Sequence, residues 1–305
     1  MSPVLQVEMA QNDSNLPQQA YPDLPATPDS SHYEASTRAL DLRELGAAIS
    51  SDEITRVTEF LDEQNRSRDV LNAGLSLAVK AANIKISEFL LARGAEITSA
   101  VVGSAVKARS QAIFKLLVDH GWQVNAPFGA GHVVLPKVVG DKQLTRWLLD
   151  TGADPNLGAP MWGDIQTDSP PNPNSHEALN RAAGISSMAI FDLLVQHGAK
   201  IENCSALHSA AASQSREAEC VSMISHLLDL GFDVNGLDDV HGPYAFGRPL
   251  HYAVRSRNLG SVRYLLERGA NPNLRNQMGD SAYDEAVRRR FFEAVELFKE
   301  GIENP

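Results

Sequence analysis

Gly247-Arg248-Pro249-Leu250-His251-Tyr252-Ala253-Val254, then Leu259, Val262, Leu265 and Leu266, closing on Glu267-Arg268-Gly269-Ala270-Asn271-Pro272-Asn273, reads as two short helices with punctuation at both ends. Pro249 suits a first helical turn, where its missing N–H has no intrahelical partner to lose. Gly269 can adopt the left-handed conformation that closes a helix. The closing half recurs: paired leucines run into a glycine at Leu90-Leu91 to Gly94, Leu116-Leu117 to Gly121, Leu148-Leu149 to Gly152, Leu193-Leu194 to Gly198 and Leu227-Leu228 to Gly231. Successive glycines lie 27, 31, 46, 33 and 38 residues apart. Such a period belongs to solenoids of paired helices, which lengthen without a deeper core.

The Gly247 to Asn273 segment resembles the ankyrin repeat, whose pattern is a first helix opening Thr-Pro-Leu-His-x-Ala and a second ending Leu-Leu-x-x-Gly-Ala. The resemblance extends over residues 38–304, best at 72–98, 99–125, 131–156, 176–202, 204–235, 247–273 and 280–301. It implies an all-α solenoid of about eight helix-turn-helix units that binds a protein partner on its concave, loop-bearing face, as a scaffold or adaptor with a possible regulatory role. His251, and His208 in Leu207-His208-Ser209-Ala210-Ala211, are then structural, tying neighbouring turns together. Asn125, Asn156, Asn235 and Asn273 fall at the family's post-helix asparagine, a position known to accept hydroxylation. Asn156 and Asn273 are the acceptors named here, against the plainer expectation that these side chains hydrogen-bond the loop backbone.

With 27 basic and 38 acidic residues the chain carries a net charge of -11, which opposes general binding to nucleic-acid phosphates. Arg288-Arg289-Arg290 reads as a solvated face. No apolar run is long enough to cross a bilayer, and Met1 to Ala10 lacks the marks of a secretory or transit signal. Residues 1–37, with Pro3, Pro17, Pro22, Pro25 and Pro28 among polar residues, read as a disordered arm. Cys204 and Cys220 have no metal-ligand spacing and read as free, buried thiols of a reducing compartment. The expectation is therefore a cytoplasmic monomer, with the nucleus as a second location, needing no cofactor or metal and binding neither nucleic acid nor membrane directly.

The irregularities nominate a site. Ser50 and Glu53 stand at capping-box spacing in the first helix pair, and Pro136 falls inside the first helix of the weakest unit. From Gly152 to Ala178 and from Gly231 to Pro249 the inter-unit loops lengthen to 26 and 18 residues; loops beyond about 12 to 15 residues are usually functional or disordered. In the first, Met161 and Trp162 argue for packing and Ser169-Pro170-Pro171-Asn172-Pro173-Asn174 for disorder. Trp162, Tyr244 and Phe246 are read as aromatic anchors for a partner, with Asp164 and His241 as polar contacts. The inserted turn Ser213 to Glu219 reads as a solvated loop.

Phosphate-cradling glycine loops, G-x-S-x-G, H-E-x-x-H and paired-cysteine zinc spacings are all missing, so the chain reads as a non-enzyme. Two alternatives stay open: a small-molecule or catalytic site assembled from Asp164, Asp168, His176, Asp238, Asp239 and His241, and a transcription co-regulator acting through a DNA-binding partner.

Overall fold

The structure, a computed structural model, describes residues 42–62, 68–160, 166, 168–185, 187–202, 204–238 and 247–303, with no side-chain description for 300–303. The arm expected at 1–37 lies outside these residues. Residues 42–50 form α1. Fifteen more helices follow: α2 (Ile54–Asp62), α3 (Arg68–Lys80), α4 (Ile84–Ala92), α5 (Ser99–Ala108), α6 (Gln111–Asp119), α7 (Val134–Val138), α8 (Lys142–Asp150), α9 (Glu177–Gly184), α10 (Met188–Gln196), α11 (Ala206–Ala211), α12 (Glu217–Asp229), α13 (Pro249–Arg255), α14 (Leu259–Glu267), α15 (Ala282–Arg288) and α16 (Phe292–Glu303). Consecutive helices pair into eight units. First helices pack on first helices from α3 through α15, while second helices pack on second helices at α4 with α6, α8 with α10, α12 with α14 and α14 with α16. One elongated core runs between the two layers, from Leu45 to Phe298. None of the described helices is long and apolar enough to cross a membrane.

The recurrent glycines do what their spacing predicts. Gly94, Gly121, Gly152, Gly198, Gly231 and Gly269 have φ between 89° and 99°. In each case the glycine N–H and the next N–H turn back onto the third and fourth residues before the glycine, as Gly269 does to Leu266 (3.0 Å) and Ala270 to Leu265 (2.9 Å). These bonds satisfy the orphan carbonyls of the helix end. They also set the register: the fully buried leucine is the fourth before the glycine, Leu90, Leu117, Leu148, Leu194, Leu227 and Leu265. In α6 and α10 the pair in register is thus Leu117-Val118 and Leu194-Val195, one residue later than the leucine pairs.

Between the helices of a unit the left-handed residue is not glycine. Asp52, Ala82, Arg109, Arg257 and Arg290 hold φ of 50° to 55°, and the stack retains them although a side chain there costs about 1–2 kcal/mol.

Three expectations are corrected. Ser50 does not cap α2: it ends α1, donating to the Gly46 carbonyl at 2.8 Å, and Glu53 supplies the carbonyl that receives Val57 N–H. The Ser213 to Glu219 insertion is a solvated loop only in part: Gln214 and Arg216 are exposed outside any helix, but α12 starts at Glu217 and is 13 residues long where α14 has 9. Ser213 is buried, and its carbonyl accepts from Asn258 Nδ2 at 2.9 Å. The Glu217 stem lies so close to Gly260 that a Cβ there would approach it to 2.2 Å. Finally, the Ser169 to Asn174 segment is held, as described below, since its asparagines and prolines build bonded turns. Pro136 is accommodated as its position requires: α7 shrinks to five residues and starts at Val134, which puts the proline in the first turn.

Candidate partner-binding surface

Three of the four post-helix asparagines reach into the following unit. Asn125 donates from Nδ2 to the Gly152 carbonyl (2.9 Å) and accepts from Asp154 N–H (2.9 Å); Asn156 does the same with Gly198 (3.0 Å) and Lys200 (2.9 Å), and Asn235 with Gly269 (3.1 Å) and Asn271 (2.9 Å). The expected loop-backbone bond exists, but it crosses between units. Asn273 is exposed, and among the described residues its carboxamide makes no such bridge.

A second line of bonds joins the first helices. His208 and His251 donate from Nε2 to the carbonyls of Gly236 (3.0 Å) and Asp280 (3.1 Å), each in the loop before the next unit, while His251 Nδ1 accepts from Arg248 N–H (3.3 Å). Burial above all lowers the His251 pKa, keeping the ring neutral so that one nitrogen can donate and the other accept.

The two long loops are closed at their bases. Gly158 N–H donates to Asn172 O (3.2 Å) and Asn172 N–H to Gly158 O (2.8 Å), an isolated antiparallel bridge. Ser175 N–H then bonds Asn156 O (2.8 Å), and Asn172 Oδ1 accepts from Asn174 N–H (3.0 Å). Glu177 fastens this base from outside, accepting from Ala159 N–H (3.3 Å) and pairing with Lys137 of the preceding unit (2.6 Å). Burial pushes the Glu177 carboxyl up, but the Lys137 bond and charge outweigh it and hold the pKa below the usual value. In the second loop Asp238 N–H donates to Gly247 O (2.9 Å). The buried Asp238 carboxylate accepts from Ser205 Oγ (2.8 Å) and from the Tyr252 hydroxyl.

The anchors expected from sequence, Trp162, Asp164, His241, Tyr244 and Phe246, lie outside the described residues, as does Asp239. They fall within the two segments these closures delimit. Of the groups considered for catalysis, Asp238 is taken up by two hydroxyls, Asp168 is exposed, and His176 lines a small cavity of about 230 Å³ with Lys200 and Glu202. No three His, Cys, Asp or Glu side chains gather for a metal among the described residues. Cys204 and Cys220 are buried and form no disulfide, and burial raises the Cys204 thiol to about 12.

Sequence reasoning did not anticipate an open groove on the first-helix layer. Two cavities of about 550 and 490 Å³ adjoin at Ala100 and extend from Leu42 and Arg43 on α1, across α3 and α5, to Lys137 on α7.

Residues 227–286 match the family model described as "Ankyrin repeats (many copies)". The chain is an ankyrin-repeat protein. It is 32% identical over 109 residues to "Ankyrin repeat protein nuc-2" of Neurospora crassa, a match covering 34% of this chain and 10% of that protein. It is 23% identical over 273 residues to "Putative ankyrin repeat protein FPV022" of Fowlpox virus, covering 80% of this chain and 44% of that protein. The chain thus spans well under two thirds of either relative's length. Ankyrin repeats are in general protein-protein interaction modules, and in this array the bridging asparagines and histidines add polar links between units that share one apolar core.

Proposed function

We propose that this ankyrin array is a scaffold or adaptor that binds a protein partner on its loop-bearing face, without catalysis of its own. The observation carrying this reading is the closure of both long loops at their bases, by the Gly158 and Asn172 pair and by the Asp238 and Gly247 pair. Each closure holds the two ends of its loop together beside the stack, so a partner that engaged Trp162, Tyr244 and Phe246 would meet anchors carried on a fixed base. Two buried cysteines that form no disulfide suit a reducing compartment such as the cytoplasm. Asn273, whose carboxamide makes no bridge to a following unit among the described residues, is the better placed of the two candidate hydroxylation acceptors.

The test is affinity capture from the native cell, followed by titration of each captured partner against wild type and a Trp162→Ala/Tyr244→Ala double variant. The expected result is a loss of more than about tenfold in affinity with an unchanged melting curve. A variant that melts early would return these residues to the core and defeat the reading.

A further inference from the structure

The left-handed turn residues give a common register for the first helices. Six residues before Ala82, Arg109, Arg257 and Arg290 stand Ser76, Gly103, His251 and Asp284. Gly103 therefore occupies, in α5, the position from which His251 bridges to the next unit. Glycine inside a helix costs about 0.5–1 kcal/mol relative to alanine, and elsewhere packing requires it: a Cβ on Gly74 would meet Leu45 at 3.1 Å, and one on Gly260 would meet Glu217. A Cβ on Gly103 would meet nothing within 4 Å. The fold does not ask for this glycine, and the space above it is the second cavity of the groove.

The charge of that groove is opposite to the chain's. Its lining holds Arg43, Lys107 and Lys137 against Asp69 alone, in a protein with 27 basic and 38 acidic residues. Arg43 and Lys107 have no carboxylate partner among the described residues, and Lys137 keeps one, Glu177. His132, in the same lining, has its pKa lowered by burial and then by Lys137, so the groove's positive charge comes from Arg43, Lys107 and Lys137 and not from this ring. The floor between the cations is small and apolar, with Ala73, Ala100 and Gly103.

We infer that the groove across α1, α3, α5 and α7 binds an extended, acidic segment of a partner protein, its backbone passing over Gly103 and its carboxylates meeting Arg43, Lys107 and Lys137. Four helices spaced 8–10 Å apart present roughly 25–30 Å, the length of about eight extended residues. The inference rests on the scaffold reading and names a partner chemistry for a surface distinct from the two long loops.

The probe is a displayed library of random peptides of about ten residues, selected on the full chain and remeasured with labelled winners by fluorescence anisotropy. The selected peptides are expected to be rich in Asp and Glu and to weaken with added salt. Gly103→Trp, which meets open space, is expected to fill the groove and reduce affinity more than about tenfold while melting stays at or above that of wild type. Should that variant misfold, Lys107→Glu serves: it is expected to weaken acidic winners and to be rescued by peptides with Lys in place of Glu. Winners that are neutral or basic, binding that ignores both variants, failure to enrich any peptide, or self-association of the chain through this face would each overturn the inference. If cell-captured partners still bind both variants at full affinity, the groove is excluded and the scaffold reading stands.

Discussion

Units two to four (α3 to α8) and units six to eight (α11 to α16) stack through the same layers yet join through different groups. In the first set Ser76 Oγ meets Ser104 Oγ at 2.8 Å and donates to Ala100 O at 3.3 Å, and Asn72 Oδ1 accepts from Glu96 N–H at 2.7 Å. In the second set imidazoles, a phenol and guanidinium groups occupy the corresponding space: His208, His251, Tyr252 and Arg255. The buried Glu285, 2% exposed, is gripped by Arg255 (2.8 Å) and Arg289 (2.8 Å). Apolar burial and the closing glycines suffice to stack the units, so the space on the first-helix face is free to be filled or left open. Filled, it braces the carboxyl-terminal units; open, it makes a groove.

The comparison breaks most sharply at Glu285. Truncation to Ala leaves two guanidinium groups facing a cavity, and loss of one partner of a buried pair costs about 3–5 kcal/mol. The lower value is expected because Arg255 and Arg289 keep contact with water. Hydrogen exchange is expected to rise in α15 and α16 first while α3 to α6 stay protected; uniform loss would mean that the two sets of units are not separately braced. Burial alone would raise the Glu285 carboxyl, but the Arg255 and Arg289 bonds and charges prevail and lower its pKa. The contribution is thus complete above the ordinary glutamate value of 4.5 and lost as pH falls through the lower folded value. Exchange at α15 and α16 is therefore expected to be the more acid-sensitive in that window.

A smaller effect is expected along the asparagine line. Asn156→Ala removes two inter-unit hydrogen bonds, at about 1 kcal/mol each, whereas Asn273→Ala is expected to change chemical-denaturation stability by less than about 0.5 kcal/mol. Equal losses at both positions would show that the bridge is not the source of the stability. Smallest is Ala82→Gly, expected to raise stability by about 0.5–1 kcal/mol by relieving a left-handed alanine. A fall in melting temperature would mean that unfolded-chain entropy outweighs the strain.

What could be read from sequence follows the range of the physics. The closing glycines were legible because a left-handed turn is a requirement on one residue, and the extended loops because their length is counted along the chain. The leucine register in α6 and α10 was misread by one residue, since Leu116 and Leu193 look equivalent to the true positions until the turn-closing bonds select Leu117 and Leu194. The loop closures could not be read, as nothing in Gly158 or Asp238 specifies that Asn172 or Gly247 will lie opposite. Nor could the groove: it is a space bounded by residues from four helices, and its clearest sign, Gly103, has meaning only once the emptiness above it is known. The Glu285 clamp hid in the same way, since one of its two guanidinium partners, Arg255, comes from the preceding unit, 30 residues away.

The pairing of Asp238 with Gly247 has a further consequence. With Asp238 and Gly247 already joined, lengthening the stretch between them is expected to add loop-closure entropy of about 0.6 kcal/mol per doubling. The bond between Asp238 and Gly247 is a rim that is expected to stay closed when the segment it joins is changed. Foreign segments grafted between these two residues would leave the neighbouring units' melting nearly unchanged, so recognition at that edge can diversify without renegotiating the stack beneath it.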